Sequence, residues 1–265
     1  MTNDLIYVYC LANGPPELLG ELESAGLKAI AAGNFYVIVK YVSESEFSEV
    51  NFKRNLSDIY WLENNAREHV EVIYLIMKQK TVIPFKFGTI FQSGESLEKF
   101  INDYCVSLDE NFKSVEDKEE WSVKIYCDRK TLCQQIDELS EDTAALEKQI
   151  MASSPGKAYL LKRKKSELIE NEMDRICKSY GQNYYNEFKN LSASTNLNNL
   201  LPKEFTGRDD TMILNAAFLV SNNKVVDFVN LVAALKEKDG NSGFFIETTG
   251  PWPPFTFICI KENLQ

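Results

Sequence analysis

Histidine is almost absent from this chain, since His69 is the only one among 265 residues. A general base or triad built on histidine would therefore have to use His69. The six cysteines include no C-x-x-C pair and mostly have apolar neighbours; they lie at positions 10, 105, 127, 133, 177 and 259. We interpret them as small buried residues in a reducing compartment rather than as disulfides or zinc ligands. We expect neither a cofactor nor a metal ion.

Long apolar runs and phosphate-binding motifs are also missing. No stretch approaches the roughly 18 consecutive apolar residues of a membrane span. The first residues lack the positive segment of a signal peptide. The sequence contains no G-x-G-x-x-G, no P-loop and no short-period repeat. These absences predict a cytoplasmic protein without contact with a membrane.

Positive charge is in short supply as well. The chain has 29 Lys and Arg against 39 Asp and Glu, which gives a net charge of -10. A field of this sign repels a phosphate backbone unless a local basic patch exists. The run Lys162-Arg163-Lys164-Lys165 is short, and the aromatic motif of RNA-binding ferredoxin-like sheets is not found. We therefore expect no nucleic acid partner and keep nucleic-acid binding only as an alternative.

A hydrophobic fraction of 44% is typical of a globular protein with a sizeable core, and the first part of the chain follows a β-α-β-β-α-β order. This order is the ferredoxin-like split βαβ pattern, an antiparallel sheet with helices on one face. A further helix is predicted over about 94–112, so we place a ferredoxin-like N-terminal domain at 1–113. The predicted strands are 5–11, 27–31, 35–41 and 82–87, and the predicted helices are 16–24 and 56–77.

The second part of the chain predicts another α+β domain at 121–265, a modified α+β sandwich. The charged segment 114–120 is typical of a linker. A helical hairpin is predicted over 129–191, because Ser153-Ser154-Pro155-Gly156 interrupts its helical pattern. Acidic residues of 137–147 (Asp137, Glu138, Glu141, Asp142 and Glu147) and basic ones of 157–165 either face each other near this turn or are solvated. The remaining predictions are strands at 121–127, 212–220, 244–248 and 255–260, a helix at 225–236 and an exposed polar loop at 192–210.

Two stretches stand out from this background. The first is the run P-F-K-F-G-T-I-F at 84–91, preceded by Arg67-Glu68-His69 on the predicted long helix. The second is T-G-P-W-P-P-F-T-F at 249–257. Its prolines restrict φ and remove ladder donors, which is typical of an edge or a corner. Trp252 in such a corner either plugs a core or presents a binding anchor, and we expect the former.

At these residues the chain resembles the gas vesicle protein F/L family. The run at 84–91 is similar to that family's P-x-R/K-F-G-T signature, and the run at 249–257 to its T-G-P-W-P-P-Y-x-F signature. Ser154-Pro155-Gly156-Lys157-Ala158-Tyr159-Leu160 is similar to its P-G-x-A-Y segment. The three matches lie in order along nearly the whole chain. Lys86 stands where arginine is usual and Phe255 where tyrosine is usual.

The resemblance implies a two-domain α+β protein with a ferredoxin-like first lobe and a coiled-coil-like hairpin. It also implies a non-enzymatic, accessory role in gas vesicle formation, with contacts to the small hydrophobic shell protein and to other gas vesicle accessory proteins. The shell subunit is apolar, so an acidic partner would hold it before assembly, for example by strand addition. An enzyme that uses His69 remains an alternative.

The two stretches supply the candidate site residues, whose role is either structural or partner contact. We expect Arg67 or His69 to hydrogen-bond the strand that carries Lys86, and Gly88 to supply a special backbone angle. No residue is assigned a catalytic role. The full candidate set is Arg67, His69, Phe85, Lys86, Phe87, Gly88, Thr89, Phe91, Gly250, Pro251, Trp252, Pro253 and Pro254.

Overall fold

A computed structural model describes residues 4–18, 20–139, 141–239 and 242–261. It is a mixed helix and sheet protein with two antiparallel sheets. Its contacts divide the chain into two compact units, one of 1–120 with 251–265 and one of 121–250. The predicted second domain, 121–265, differs from this division, because the chain from Pro251 onward belongs to the first unit.

The first unit contains one sheet whose strand order is β2-β3-β1-β4, with β5 also pairing with β1. All four pairings are antiparallel. The strands and helices are β1 (Asp4–Ala12), α1 (Glu21–Ser24), β2 (Leu27–Ala32), β3 (Phe35–Ser43), α2 (Glu44–Phe47), α3 (Glu49–Asn55), α4 (Ile59–Met77), β4 (Val82–Pro84), β5 (Ile90–Phe91) and α5 (Gly94–Val115).

Helices cover both faces of this sheet, so the prediction of helices on one face is wrong. The central strand β1 is buried over Leu5–Ala12. Tyr7 and Tyr9 pack in one apolar cluster with residues of α4. Ile6 and Val8 pack in a second cluster with residues of α5. A strand with apolar side chains on both sides needs cover on both sides, and the predicted helix at 94–112 supplies it as α5.

The predicted linker at 114–120 is wrong as well. Helix α5 continues to Val115, and strand β6 (Lys118–Cys127) begins three residues later. Asp117 turns the chain with a positive φ of 54°. Glu120 is buried despite its charge because it hydrogen-bonds Thr256. Charge alone therefore does not mark a linker here.

The second unit contains a sheet in the order β7-β8-β6-β9. Strand β7 lies within the predicted polar loop 192–210, which was therefore only partly correct. The predicted strand at 255–260 is absent, since residues 255–257 form a turn and residues 258–261 have no assigned strand or helix. The elements after β6 are α6 (Arg129–Leu139), α7 (Glu141–Met151), α8 (Pro155–Asn190), β7 (Ser194–Leu197), α9 (Lys203–Thr206), β8 (Thr211–Ser221), α10 (Val225–Asp239) and β9 (Phe244–Trp252).

The helical hairpin is formed by α7 and α8, which pack against each other. Pro155 starts α8, as the fixed φ of proline favours at a first helical turn. Lys165 pairs with Glu147 at 2.8 Å, so the two charged arms meet at this point. The side chains of Asp137, Glu138 and Glu141 lie outside the described part of the chain. Among the described helices, none is both long enough and apolar enough to cross a membrane.

Candidate functional site

The first signature run contains a short loop, residues 85–89, between β4 and β5. Both of these strands pair with β1. Phe85 N donates to Tyr9 O at 2.9 Å, and Val8 N donates to Thr89 O at 3.0 Å. Between these bonds a turn is closed by Thr89, whose N and Oγ1 donate to Lys86 O at 3.1 and 2.7 Å. We call residues 85–89 the signature loop. The turn in this loop thus separates the pairing of β1 with β4 from the pairing of β1 with β5.

Gly88 occupies a position of this loop where a residue with a Cβ does not fit. Its φ of +80° confirms the predicted special backbone angle. A Cβ at this position would lie 2.4 Å from Cζ of Phe52, well inside van der Waals contact. The position therefore requires glycine for its backbone angle and for space.

The aromatic residues of the loop pack in opposite directions. Phe85 belongs to the cluster under α5, where its ring centroid lies 5.7 Å from that of Phe100. Phe87 belongs to the cluster under α4, with its centroid 5.7 Å from those of Phe52 and His69. The loop therefore links the two cores of the first unit. We call the rings around Phe87 the aromatic cluster; they are Tyr7, Tyr9, Phe47, Phe52, Trp61, His69 and Phe87.

His69 joins this cluster to the signature loop through hydrogen bonds from both ring nitrogens. Nε2 lies 3.0 Å from Phe85 O, and Nδ1 lies 2.9 Å from the hydroxyl of Tyr7. The Tyr7 oxygen also accepts from Gly88 N at 3.3 Å. His69, with 2% exposure, thus connects helix α4 to the loop and to β1 at once.

The partners fix the protonation state of the ring. A carbonyl oxygen only accepts, so Nε2 carries the hydrogen that bonds Phe85 O. In the neutral ring Nδ1 accepts from the Tyr7 hydroxyl, and the oxygen of that hydroxyl accepts from Gly88 N. Burial lowers the pKa of His69 below its ordinary 6.5, although the hydrogen bond to Phe85 and the charge of Glu68 act in the opposite direction. The imidazole is therefore neutral and both of its nitrogens are occupied.

This arrangement predicts a pH dependence of stability. The unfolded chain binds a proton at His69 more readily than the folded protein does, so the free energy of unfolding falls as the pH drops below about 6.5. For one proton the slope is at most about 1.4 kcal/mol per pH unit. Hydrogen exchange of the β1 amides between pH 7.5 and 5.5 measures it.

The His69→Leu variant is the control for this measurement, because it keeps every carboxylate of the unit. Glu120, whose pKa burial raises despite its hydrogen bonds from Thr256, contributes the opposite trend in both proteins. The difference between the two profiles therefore isolates His69. If the free energy of unfolding of the two proteins changes in parallel from pH 7.5 to 5.5, the lowered pKa of His69 does not contribute to the pH dependence.

Glu68 adds an ion pair at the edge of the same cluster. Its Oε1 accepts from the Tyr9 hydroxyl and from Lys40 Nζ, each at 2.7 Å. Burial acts to raise the pKa of Glu68, but the hydrogen bonds from Lys40 and Tyr9 outweigh it, and the pKa lies below its ordinary value. The pair lines a cavity of about 320 Å³. Its charges already satisfy each other, so it offers little to a ligand.

Sequence reasoning missed Tyr7, Phe52, Trp61 and Glu68. Two signals were available for part of this set. Tyr7 and Tyr9 alternate along one face of a predicted strand, and Trp61 precedes His69 by two helical turns on one face of α4. Phe52 carried no signal, because only the fold brings α3 against the signature loop.

The other candidates of the first run lie outside the aromatic cluster. Arg67 pairs with Glu63 at 2.6 Å on the exposed side of α4, so His69 and not Arg67 bonds the end of the β4 strand. Lys86 is exposed. Phe91 packs on Phe100 with centroids 5.5 Å apart. The run therefore holds buried and solvent-facing residues in close sequence.

The second signature run changes direction where its prolines stand. Gly250 has a φ of +144°, and β9 ends at Trp252. Pro251 is half-buried, and Pro253 and Pro254 are buried. Trp252 is 40% exposed, so the expectation that it plugs a core is wrong. The prolines take the buried positions and leave the indole partly in solvent.

Phe255 brings the two signature runs together in the first unit. Its ring centroid lies 6.5 Å from that of His69. A phenyl ring makes this contact without a hydroxyl, and both ring nitrogens of His69 already have partners. The departure from tyrosine at this position is therefore compatible with the site.

Within the described residues, no three His, Cys, Asp or Glu side chains gather as a metal site would require. The fold defines a two-unit α+β protein. In its first unit, Phe87 and Phe255 of the two signature runs meet at the buried ring of His69. Sequence comparison assigns the family. The family model described as gas vesicle synthesis protein GvpL/GvpF matches residues 5–259. The chain belongs to this family.

Two relatives and two solved structures agree with this assignment. Gas vesicle protein L of Streptomyces sp. (strain CB03234) is 23% identical over 99% of this chain and 96% of its own length. Gas vesicle protein L of Haloferax mediterranei is 21% identical over 67% of this chain and 55% of its own length. Crystal structures of GvpF from Anabaena sp. PCC7120 and Microcystis aeruginosa superpose with TM-scores of 0.73 and 0.66. Each GvpF chain is 20% identical to this protein, and each superposition covers 98% of this chain and 100% of the GvpF chain. These superpositions establish the shared fold.

Proposed function

We propose that this protein is a non-catalytic accessory protein of gas vesicle formation that binds the small hydrophobic shell subunit and keeps it from aggregating before assembly. The observation that carries the proposal is the match of the GvpL/GvpF family model over residues 5–259. The proposed place of action is the growing vesicle in the cytoplasm. Other gas vesicle accessory proteins are further proposed partners.

The state of His69 supports the non-catalytic part of the proposal. A general base needs a free lone pair within reach of substrate. His69 is buried, and its two ring nitrogens already bond Phe85 O and the Tyr7 hydroxyl. These contacts favour a structural role over the alternative of an enzyme that uses His69.

The basic run of α8 gives little support to a nucleic-acid partner. Arg163 pairs with Glu167 at 3.0 Å, and Lys165 pairs with Glu147 at 2.8 Å. Two of its four cations therefore already face carboxylates, which reduces the positive field available to a phosphate backbone.

We further propose that the first unit is a ferredoxin-like lobe. Strand β1 lies between β3 and β4, and β3 lies between β1 and β2, all antiparallel. Such interleaving of two strand-helix-strand units is what the split βαβ pattern describes. The same topology gives the signature loop its place beside the central strand.

A surface on α3 and the start of α4 has the chemistry to meet an apolar subunit. Val50, Ile59 and Tyr60 are 78%, 71% and 77% exposed, and Leu56 is 38% exposed. Several exposed large apolar side chains within eleven consecutive residues are typical of an interaction site. The same two helices supply Phe52 and Trp61 to the aromatic cluster. We therefore assign partner contact to this surface and positioning of it to His69 and the signature loop.

Pull-down with purified shell subunit tests this function. The wild type is expected to retain the subunit, and Ile59→Ser with Tyr60→Ser to weaken retention at least tenfold, because apolar anchors dominate such interfaces. Phe205→Ser is the matched control, since Phe205 is 79% exposed on the second unit. Absence of retention by the folded wild type contradicts shell binding. Equal losses in both variants contradict the assigned surface.

A further inference from the structure

Residues 256–261 are held by side chains rather than by pairing with a strand. Asn111 on α5 bonds the backbone of Cys259 on both sides: Cys259 N donates to Oδ1 at 2.9 Å, and Nδ2 donates to Cys259 O at 3.0 Å. Two residues further on, Lys261 N donates to the hydroxyl of Ser107 at 3.0 Å. We call residues 256–261 the C-terminal segment.

A third side chain holds the other end of this segment. Glu120 accepts from Thr256 N at 2.9 Å and from Thr256 Oγ1 at 2.6 Å. Glu120 and Asn111 are themselves 7% exposed, so these are built polar positions rather than surface contacts. The amides of Thr256, Cys259 and Lys261 therefore all donate to side chains of the first unit.

Apolar contacts alternate with these polar ones. Ile258 and Ile260 pack against the cluster that contains Phe112 of α5, while Cys259 between them is exposed. Over residues 258–260 this alternation is the one by which an extended peptide is recognised: backbone bonds provide affinity, and pockets for alternate side chains provide specificity. The feature that selects the peptide is Ile-x-Ile, with the middle residue bound only through its backbone.

We propose that the groove formed by Ser107, Asn111 and Glu120 is a binding site for an extended apolar segment of a partner protein, with two β-branched residues on either side of one residue. The C-terminal segment is its occupant within the chain and the competitor of the partner. Both isoleucines are only partly buried, and residues 256–261 belong to no strand or helix. Release therefore requires a local opening and not unfolding of the unit. This groove is separate from the surface on α3 and α4, and the inference does not rest on shell binding.

Competition within the chain sets the design of the test. A tethered segment has an effective concentration in the millimolar range, so a free peptide of the same sequence competes poorly with it. The full-length double variant Ile258→Asp with Ile260→Asp places two carboxylates against the apolar cluster that contains Phe112 and leaves the groove residues Ser107, Asn111 and Glu120 unchanged. Circular dichroism confirms that this variant is folded.

The probe is a fluorescein-labelled peptide of residues 255–261 with serine in place of Cys259, followed by fluorescence anisotropy. We expect it to bind the double variant at least tenfold more tightly than the wild type. Adding Asn111→Asp to the double variant is expected to remove binding, because a carboxylate then faces the peptide carbonyl. A peptide with both isoleucines replaced by serine is the control ligand. Equal binding to wild type and double variant, or no effect of Asn111→Asp, overturns the proposal.

Hydrogen exchange of the unmodified protein gives a second test that needs no variant. The amides of Cys259 and Lys261 are expected to exchange at least a hundredfold faster than the amides of β1, since they report local opening. Equal protection in the segment and in β1 would mean that the segment opens only when the unit unfolds. That result also overturns the proposal.

Discussion

Gly88→Ala is expected to lower the free energy of unfolding of the first unit by about 2–5 kcal/mol. Holding a residue with a Cβ at φ +80° costs roughly 1–2 kcal/mol. The new methyl group also meets the ring of Phe52 at 2.4 Å, and overpacking costs about 1–3 kcal/mol. Since Gly88 N also donates to Tyr7, a displaced loop loosens the His69 network. Hydrogen exchange of the β1 amides measures the change.

Gly33→Ala separates the two causes. Gly33 also has a positive φ, of +60°, but apart from its chain neighbours no heavy atom lies within 4 Å of its Cβ position. This variant is expected to lose only the conformational contribution, roughly 1–2 kcal/mol. Adding Phe52→Ala to Gly88→Ala is expected to cost less than the two single changes summed, because the clash is removed. Equal effects of Gly88→Ala and Gly33→Ala would refute the role of Phe52.

His69→Leu is expected to destabilise the first unit by about 2–6 kcal/mol or more. Leucine fills much of the space but leaves Phe85 O without its donor and the Tyr7 hydroxyl without its acceptor. A buried polar group that loses its partner costs about 1–3 kcal/mol, and here two groups do so. The loss of ring contacts with Tyr9 and Phe87 adds to this cost.

Arg67→Ala is the matched control for His69→Leu. Arg67 lies two residues away on the same helix, and it makes an exposed pair with Glu63. Such pairs contribute little, so we expect a change within about 0.5 kcal/mol. The comparison uses the same hydrogen-exchange measurement. Similar losses in both variants would mean that the network around His69 does not stabilise the unit.

Local pattern was sufficient for much of the fold. The strands at 27–32 and 35–43 and the helices at 59–77 and 225–239 follow from apolar periodicity, and their ends differ from the predictions by a few residues. Gly88 was identified as a special position because glycine readily adopts backbone angles that residues with a Cβ avoid. The gas vesicle family was identified from three short runs whose order along the chain adds to their specificity.

Other features were missed because pairing partners decide them. Strand β7 lies in a polar stretch, and its ladder with β8 supplies the hydrogen bonds that its sequence does not predict. Residues 255–260 have strand composition, yet Pro253 and Pro254 precede them and side chains of α5 and β6 take the place of a neighbouring strand. Trp252 was expected to plug a core because it lies in a stiff proline corner, yet 40% of it is exposed.

The sequence by itself determined the family, the mixed helix and sheet class and the special backbone angle at Gly88. These properties depend on residues close together in the chain. Tertiary structure decided that His69 bonds a tyrosine 62 residues away and that Cys259 bonds an asparagine 148 residues away. Neither partner has a local signature, because a hydrogen bond between distant residues depends on where the cores of the folded unit place them.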